Sequence, residues 1–188
     1  MSGATTRTRS QKILNGAFVV ICLLSFFAAS LATGIFCYKS HRVYTEIQNA
    51  SASDSQKFSE GIKAGILHTS ESSQSLAQTI LLIAAALWGL IIGKEDERKL
   101  ILGNRLTCSM AILANFTVFA FLYSYHVLDS VISRILFTAE VVGGQEYILH
   151  IDNMRLSDLF SYQLVTFIAA AVSIGSTILC AHALKQEN

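Results

Sequence analysis

The chain has 188 residues, 52% of them hydrophobic and only 14% charged, with no proline and a mean hydropathy of +0.49. Soluble domains carry about 25% charged residues, and here 14 Lys and Arg face 13 Asp and Glu, a net charge of +1. This balance excludes a disordered chain, a disulfide-stapled secreted module and a nucleic-acid-binding domain, so no direct nucleic-acid partner is expected.

The charges cluster and leave four stretches without Asp, Glu, Lys or Arg: 13–38, 72–93, 106–128 and 159–184, each at least 22 residues long. A bilayer-spanning helix needs about 20 apolar residues, and a charge at mid-bilayer costs several kcal/mol. The pattern predicts an all-α polytopic membrane protein, a single four-helix transmembrane domain over 1–188. Its spans lie at about 13–38, 76–93, 106–126 and 159–184. Helices are required because each backbone group must be satisfied within its own segment; the ten-residue alternation of a membrane β-barrel is absent.

In chain order, Arg7, Arg9 and Lys12 precede the first apolar run, and Ser30-Leu31-Ala32 has the small-residue character of a signal cleavage site. The run continues through Thr33–Tyr38, so it reads as a retained helix. In the outer segment 39–75, Asp54 is a candidate helix cap, and Phe58, Ile62 and Ile66 recur every four residues. This predicts either an outward extension of span two or a short helix on the bilayer. Asn49-Ala50-Ser51 is a glycosylation sequon in the same segment. The stretch 94–105 is a short charged connector. In the second outer segment, 127–158, Leu128, Val131, Ile132, Ile135 and Leu136 form one apolar stripe that continues span three or lies in the interface. Gly143-Gly144 ends it, Tyr147–Ile151 is a short extended or irregular piece, and Ser157 is a candidate cap for span four. Together the outer segments predict a small, partly helical cap.

Orientation follows from Lys and Arg. Four spans put the N-tail, the 94–105 connector and the C-tail on one side, with eight basic and four acidic residues; the other side holds six basic and nine acidic. The positive-inside rule therefore places both termini in the cytoplasm. The expected location is the plasma membrane, a bacterial inner membrane. The cytoplasmic parts (1–12, 94–105 and 185–188) total only 28 residues against 63 outside when the outer parts are taken as 39–71 and 129–158, too few for a catalytic domain.

Within the spans, small residues recur at four-residue intervals: Ser30 and Gly34 in span one, Ala85, Gly89 and Gly93 in span two, Ala171 and Gly175 in span four. Such spacing lets helix backbones approach, either within the subunit or between subunits of a homo-oligomer. Polar side chains in the spans include Asn15, Gln78, Asn115 and Gln163. Asn115, nearest mid-membrane, is expected to make an interhelical hydrogen bond; lining a pore is the alternative. No span carries an acid or base of the kind a proton-coupled carrier or voltage sensor needs. Cys22, Cys37, Cys108 and Cys180 read as apolar fillers. The five histidines have no metal-ligand spacing, and no catalytic motif, metal site or cofactor is expected.

The most charged stretch, Lys94-Glu95-Asp96-Glu97-Arg98-Lys99, is either a solvated connector or, with Arg7, Arg9 and Lys12, a docking surface for a cytoplasmic protein. The expected function is thus a non-enzymatic oligomeric scaffold or sensor that registers an event at or outside the bilayer and holds a cytoplasmic effector. One alternative is a channel lined by Asn115, Ser124, Thr166, Ser173 and Thr177. Another is an integral-membrane enzyme using His150, Asp152 and Asp158.

In span count, size, inward termini and the short Lys94–Lys99 connector, the chain resembles the four-helix membrane subunits of bacterial anti-phage defence systems, among them that of the Kiwa system. The resemblance implies a tetramer-like assembly that senses phage attachment or membrane disturbance, with a cytoplasmic DNA-binding protein as effector. It carries over no functional residue.

Overall fold

The computed structural model describes the backbone of residues 3–49, 55–57, 60–93, 95–141, 147–149 and 153–185, and the side chains of 13–45, 63–93, 95, 96, 98–136 and 155–184. The elements run α1 (Gly3–Asn49), β1 (Ser55–Lys57), α2 (Glu60–Gly93), α3 (Glu95–Leu102), α4 (Arg105–Val141), β2 (Tyr147–Leu149) and α5 (Asn153–Lys185). Four helices contain stretches long and apolar enough to cross a membrane: 13–45, 63–93, 105–136 and 155–184.

The helices outrun a bilayer. At 1.5 Å per residue, α2, α4 and α5 are each about 50–55 Å long and α1 about 70 Å, against about 30 Å of hydrocarbon. The charge-free runs are the middles of these helices, not their full extent. Without proline, no backbone donor is lost along their length. Many of their serine and threonine hydroxyls bond carbonyls of their own helices. Ser30 donates to Phe26 O at 2.8 Å, Thr69 to Gly65 O at 2.9 Å, Thr79 to Ser75 O at 2.9 Å and Ser130 to His126 O at 2.8 Å. This back-bonding lets hydroxyls lie in an apolar setting without an unsatisfied donor.

Helices α4 and α5 form the shared centre of the bundle. Helix α1 packs on both of them from one side, and α2 packs on both from the other. The middle of the core is built from Ile80, Leu87 and Ile91 of α2, Ala114 and Phe121 of α4, and Ala170 and Ile174 of α5. A second cluster joins all four long helices near the strands, through Phe36, Val43, Ile66, Leu128, Ile132, Leu156 and Leu159. A third holds Cys22, Met110 and Cys180 toward the opposite end, that of the start of α1 and the end of α5. We call the strand-bearing end distal and the end with α3 proximal. At the distal end β1 and β2 pair antiparallel, with Ser55 opposite Leu149, Gln56 opposite Ile148 and Lys57 opposite Tyr147.

Of the two forms expected for each outer segment, the structure has the helical extension. Helix α2 begins at Glu60, ahead of the span expected from Leu76, and buries Ile66 in the distal cluster. The apolar stripe after His126 continues α4 to Val141, with Leu128, Val131, Ile132 and Ile135 all buried. Ser157 is not a cap: α5 already starts at Asn153, and the Ser157 carbonyl accepts a bond from Ser161 at 2.8 Å. A strand occupies 55–57, ahead of α2, so the helix does not open at Asp54. Asp54 itself, Gly143-Gly144 and the end of the Asn49-Ala50-Ser51 sequon lie outside the described residues.

Candidate functional site

The charged connector is not a loop. Residues 95–102 form α3, an eight-residue helix fixed at the proximal end. Ile101 is buried in the main core. Thr107 at the start of α4 donates to Ile101 O at 2.6 Å, with Leu100 O and Asn104 O each 3.2 Å away. Gly103 closes α3 with its N–H on Lys99 O at 2.9 Å. Asn104 then caps α4, its Oδ1 accepting from Leu106 N at 2.9 Å. The helix is thus tied down through its C-terminal half, leaving Glu95, Asp96, Arg98 and Lys99 exposed. Lys99 pairs with Glu95 at 2.8 Å across one turn, both side chains well solvated. The other predicted docking residues, Arg7, Arg9, Lys12, Lys94 and Glu97, have side chains outside the described residues; Arg7, Arg9 and Lys12 fall on the first turns of α1.

Gly103 is demanded by close approach: a Cβ there would stand 2.3 Å from the Lys99 carbonyl oxygen. Gly103→Ala is expected to release the last turn of α3 and to cost more than about 1 kcal/mol locally. Hydrogen exchange should show faster exchange of α3 amides with unchanged protection in α4 and α5.

Except for Ala171, which packs against the main core, the small-residue positions do not pack the chain's own helices closely. Ser30, Gly34, Ala85, Gly89 and Gly93 are exposed, and Ala171 and Gly175 are half-buried. A Cβ added at Gly34, Gly89, Gly93 or Gly175 would meet nothing within 4 Å. Close approach inside the bundle is made one residue away, by the buried Ala29, Ala84 and Ala170. The four-residue period is right for a packing face, but the face points outward.

Asn115 bridges two helices. Its Oδ1 accepts from Trp88 Nε1 of α2 at 3.0 Å, while its Nδ2 donates to Ala111 O at 2.8 Å. The other residues considered for a pore lie inside the bundle: Ser124, Thr166, Ser173 and Thr177 are all 0% exposed. Ser124 and Thr166 hydroxyls are 3.3 Å apart, and each also bonds a carbonyl of its own helix. Ser173 sits 3.3 Å from the Cys22 thiol, and Thr177 donates to Ser173 O. They fill a packed interior and are not presented to a neighbouring subunit.

At the distal end the sequence reading missed a cluster between α1 and α5. Lys39 Nζ bonds Asp158 Oδ2 at 2.7 Å and lies 4.9 Å from the centre of the Tyr162 ring. Arg134 of α4 lies 4.4 Å from the Tyr44 ring centre. Lys39, Arg42, Val43, Arg155 and Asp158 line a cavity of about 170 Å³. A signal was present: Lys39 and Asp158 are the first charges beyond the uncharged runs 13–38 and 159–184, at the same end of both. All four cysteines are free thiols, two of them buried, and no group of three His, Cys, Asp or Glu occurs among the described residues. His150 and Asp152 lie outside them; Asp158 is engaged by Lys39.

No family model matches the chain, and no curated protein or solved structure proved similar to it.

Proposed function

We propose that this chain is a non-enzymatic scaffold of the plasma membrane that assembles with copies of itself and docks a cytoplasmic protein on α3. The observation that carries this reading is the construction of the proximal end. Buried Ile101 and the Thr107 hydroxyl fix α3 rigidly, while its mixed-charge face is left to solvent. A connector needed only for continuity would not require an anchored helix. The excess of Lys and Arg at this end supports its cytoplasmic placement. The outward small-residue faces of α1 and α2 support self-association, since lipid-exposed glycines permit close helix contact. Events at the larger distal end would be relayed to the docked protein, and phage attachment or membrane disturbance fits the defence-system resemblance. The burial of Ser124, Thr166, Ser173 and Thr177 weighs against a pore along those residues.

The test is the mass of the gently solubilised native complex, with bound proteins identified. It is repeated for a triple variant, Lys94→Ala, Arg98→Ala and Lys99→Ala, and for Gly89→Leu. The expected result is a multimer carrying one additional protein that the triple variant loses while remaining multimeric. Gly89→Leu should lower the subunit number without unfolding the chain, because a Cβ added there would meet no other helix or side chain within 4 Å. A monomer, or a multimer of this chain alone that the triple variant leaves unchanged, would overturn the proposal.

A further inference from the structure

Helices α1 and α5 border an open apolar groove of about 340 Å³ on the outside of the bundle. Ser25 and Ala169, both buried, form its floor; Leu24, Ile168 and Val172 stand exposed along its rim. Ser25 lies 13 residues past Lys12 and 14 before Lys39, the charges that bound its run. At 1.5 Å per residue each is about 20 Å away along α1. On the membrane placement proposed above, the floor therefore sits near the middle of the hydrocarbon.

That floor carries one polar group. Ser25 is only 9% exposed, and its hydroxyl makes no hydrogen bond among the described residues. Ser30 and Ser40 on the same helix behave differently, donating to carbonyls of α1 at 2.8 and 3.0 Å. Thr33 Oγ1 is also unbonded, but it is sealed inside the bundle. The Ser25 oxygen opens onto the groove. An apolar cleft with a single placed hydrogen-bonding group is the usual build of a small-molecule site.

The depth of that hydroxyl selects the occupant. The ester and headgroup oxygens of a phospholipid lie about 15 Å from the bilayer centre, half the hydrocarbon thickness. An acyl chain would therefore fill the groove and leave Ser25 unbonded, which an apolar setting penalises. A second copy seated on this face would bring the same apolar rim, with its backbone acceptors spent within its own helices. An apolar molecule with an acceptor oxygen partway along its length meets both demands.

We infer that the α1–α5 groove binds a membrane-dissolved carbonyl compound, of the long-chain ketone or quinone class, whose oxygen accepts a hydrogen bond from Ser25. The chain of the molecule lies against Leu24, Ile168 and Val172, and its carbonyl reaches the floor between them.

The test uses the full chain in nanodiscs of an ether-linked phosphatidylcholine, which has no ester carbonyl of its own. The probes are dihexyl ketone and tridecane, equal in length. Gentle release and native mass spectrometry count the probe retained, and infrared spectra of the loaded discs follow the ketone band. Wild type should retain the ketone about three- to tenfold over the alkane, the discrimination expected from one hydrogen bond. It should also show a second ketone band at lower frequency than in empty discs. Ser25→Ala should retain the two probes equally and lose the lower band. Ala28→Phe, an addition at an exposed position lining the groove, should lose both probes. Equal retention by wild type, or a lower band that survives in Ser25→Ala, would overturn the inference. So would a wild-type multimer that binds neither probe and that Ala28→Phe dissociates, since the groove would then belong to a second copy. Failure of the chain to enter the discs would overturn the membrane reading itself, whereas entry without preference for the ketone overturns only this site.

Discussion

Replacing Phe121 by alanine is expected to cost about 2–4 kcal/mol of bundle stability. Phe121 is fully buried among α2, α4 and α5 and meets Phe167 edge-on, with ring centres 5.8 Å apart. In water, Phe→Ala in a core costs about 3–5 kcal/mol, a sum of lost transfer energy and the cavity left behind. In lipid the transfer part is small, because the surroundings are as apolar as the core. The dispersion and cavity part remains. Phe116 and Phe119, on the same helix but 58% and 66% exposed, provide the control: their alanine variants should stay within about 0.5 kcal/mol. Reversible unfolding in mixed micelles, titrated with a denaturing detergent, measures all three. Equal costs at Phe116 and Phe121 would show that the helices do not pack as described.

The second large effect is an asymmetry. Gln163 is completely buried, and its Nε2 donates to Ser73 Oγ at 2.7 Å. Its Oε1 has no partner. Ser73→Ala therefore strands the whole amide and is expected to cost about 1–2 kcal/mol, in line with interhelical hydrogen bonds in membranes and with the penalty for an unmet buried donor. Gln163→Leu removes the amide at similar volume, including the oxygen that gains nothing, and frees Ser73 to bond a carbonyl of its own helix. That variant should lie within about 0.5 kcal/mol of wild type or above it. The same unfolding titration decides the point; identical losses in the two variants would mean that Gln163 Oε1 is satisfied after all.

The centres of the four long helices could be read from the sequence because stretches apolar enough to cross a bilayer exclude charge, and charge is visible in any sequence. Where those helices end was harder. Residues 70–75 are serine-rich and resemble a turn, yet they are helical, since burial of Ile66 and Ser73 against the other helices outweighs local propensity. Helix α3 was concealed by its charge, although its end was written in the sequence: Gly103 and Asn104 are the stop of one helix and the cap of the next. The small-residue period was legible, but its direction was not. A one-residue offset separates the exposed Ala85 from the buried Ala84, and only the neighbouring helices decide which faces in. The distal cluster brings Lys39 to Asp158 across 119 positions, a pairing that no local pattern encodes.

The short pair of strands sets an order of events during synthesis. β1 lies between α1 and α2, and its partner β2 lies between α4 and α5, with Lys57 opposite Tyr147. The 90 positions between them take the ribosome roughly 5–20 s at typical rates. During that interval the first helical hairpin can be in place while its strand edge waits unpaired. The clasp closes only once the second hairpin has delivered its own turn to the same end. It can form before the contacts of α5, which follows β2 in the chain and packs on α1, α2 and α4, and it joins the two halves only when both turns reach the same end. A chain whose second hairpin lay inverted would leave the edge of β1 open.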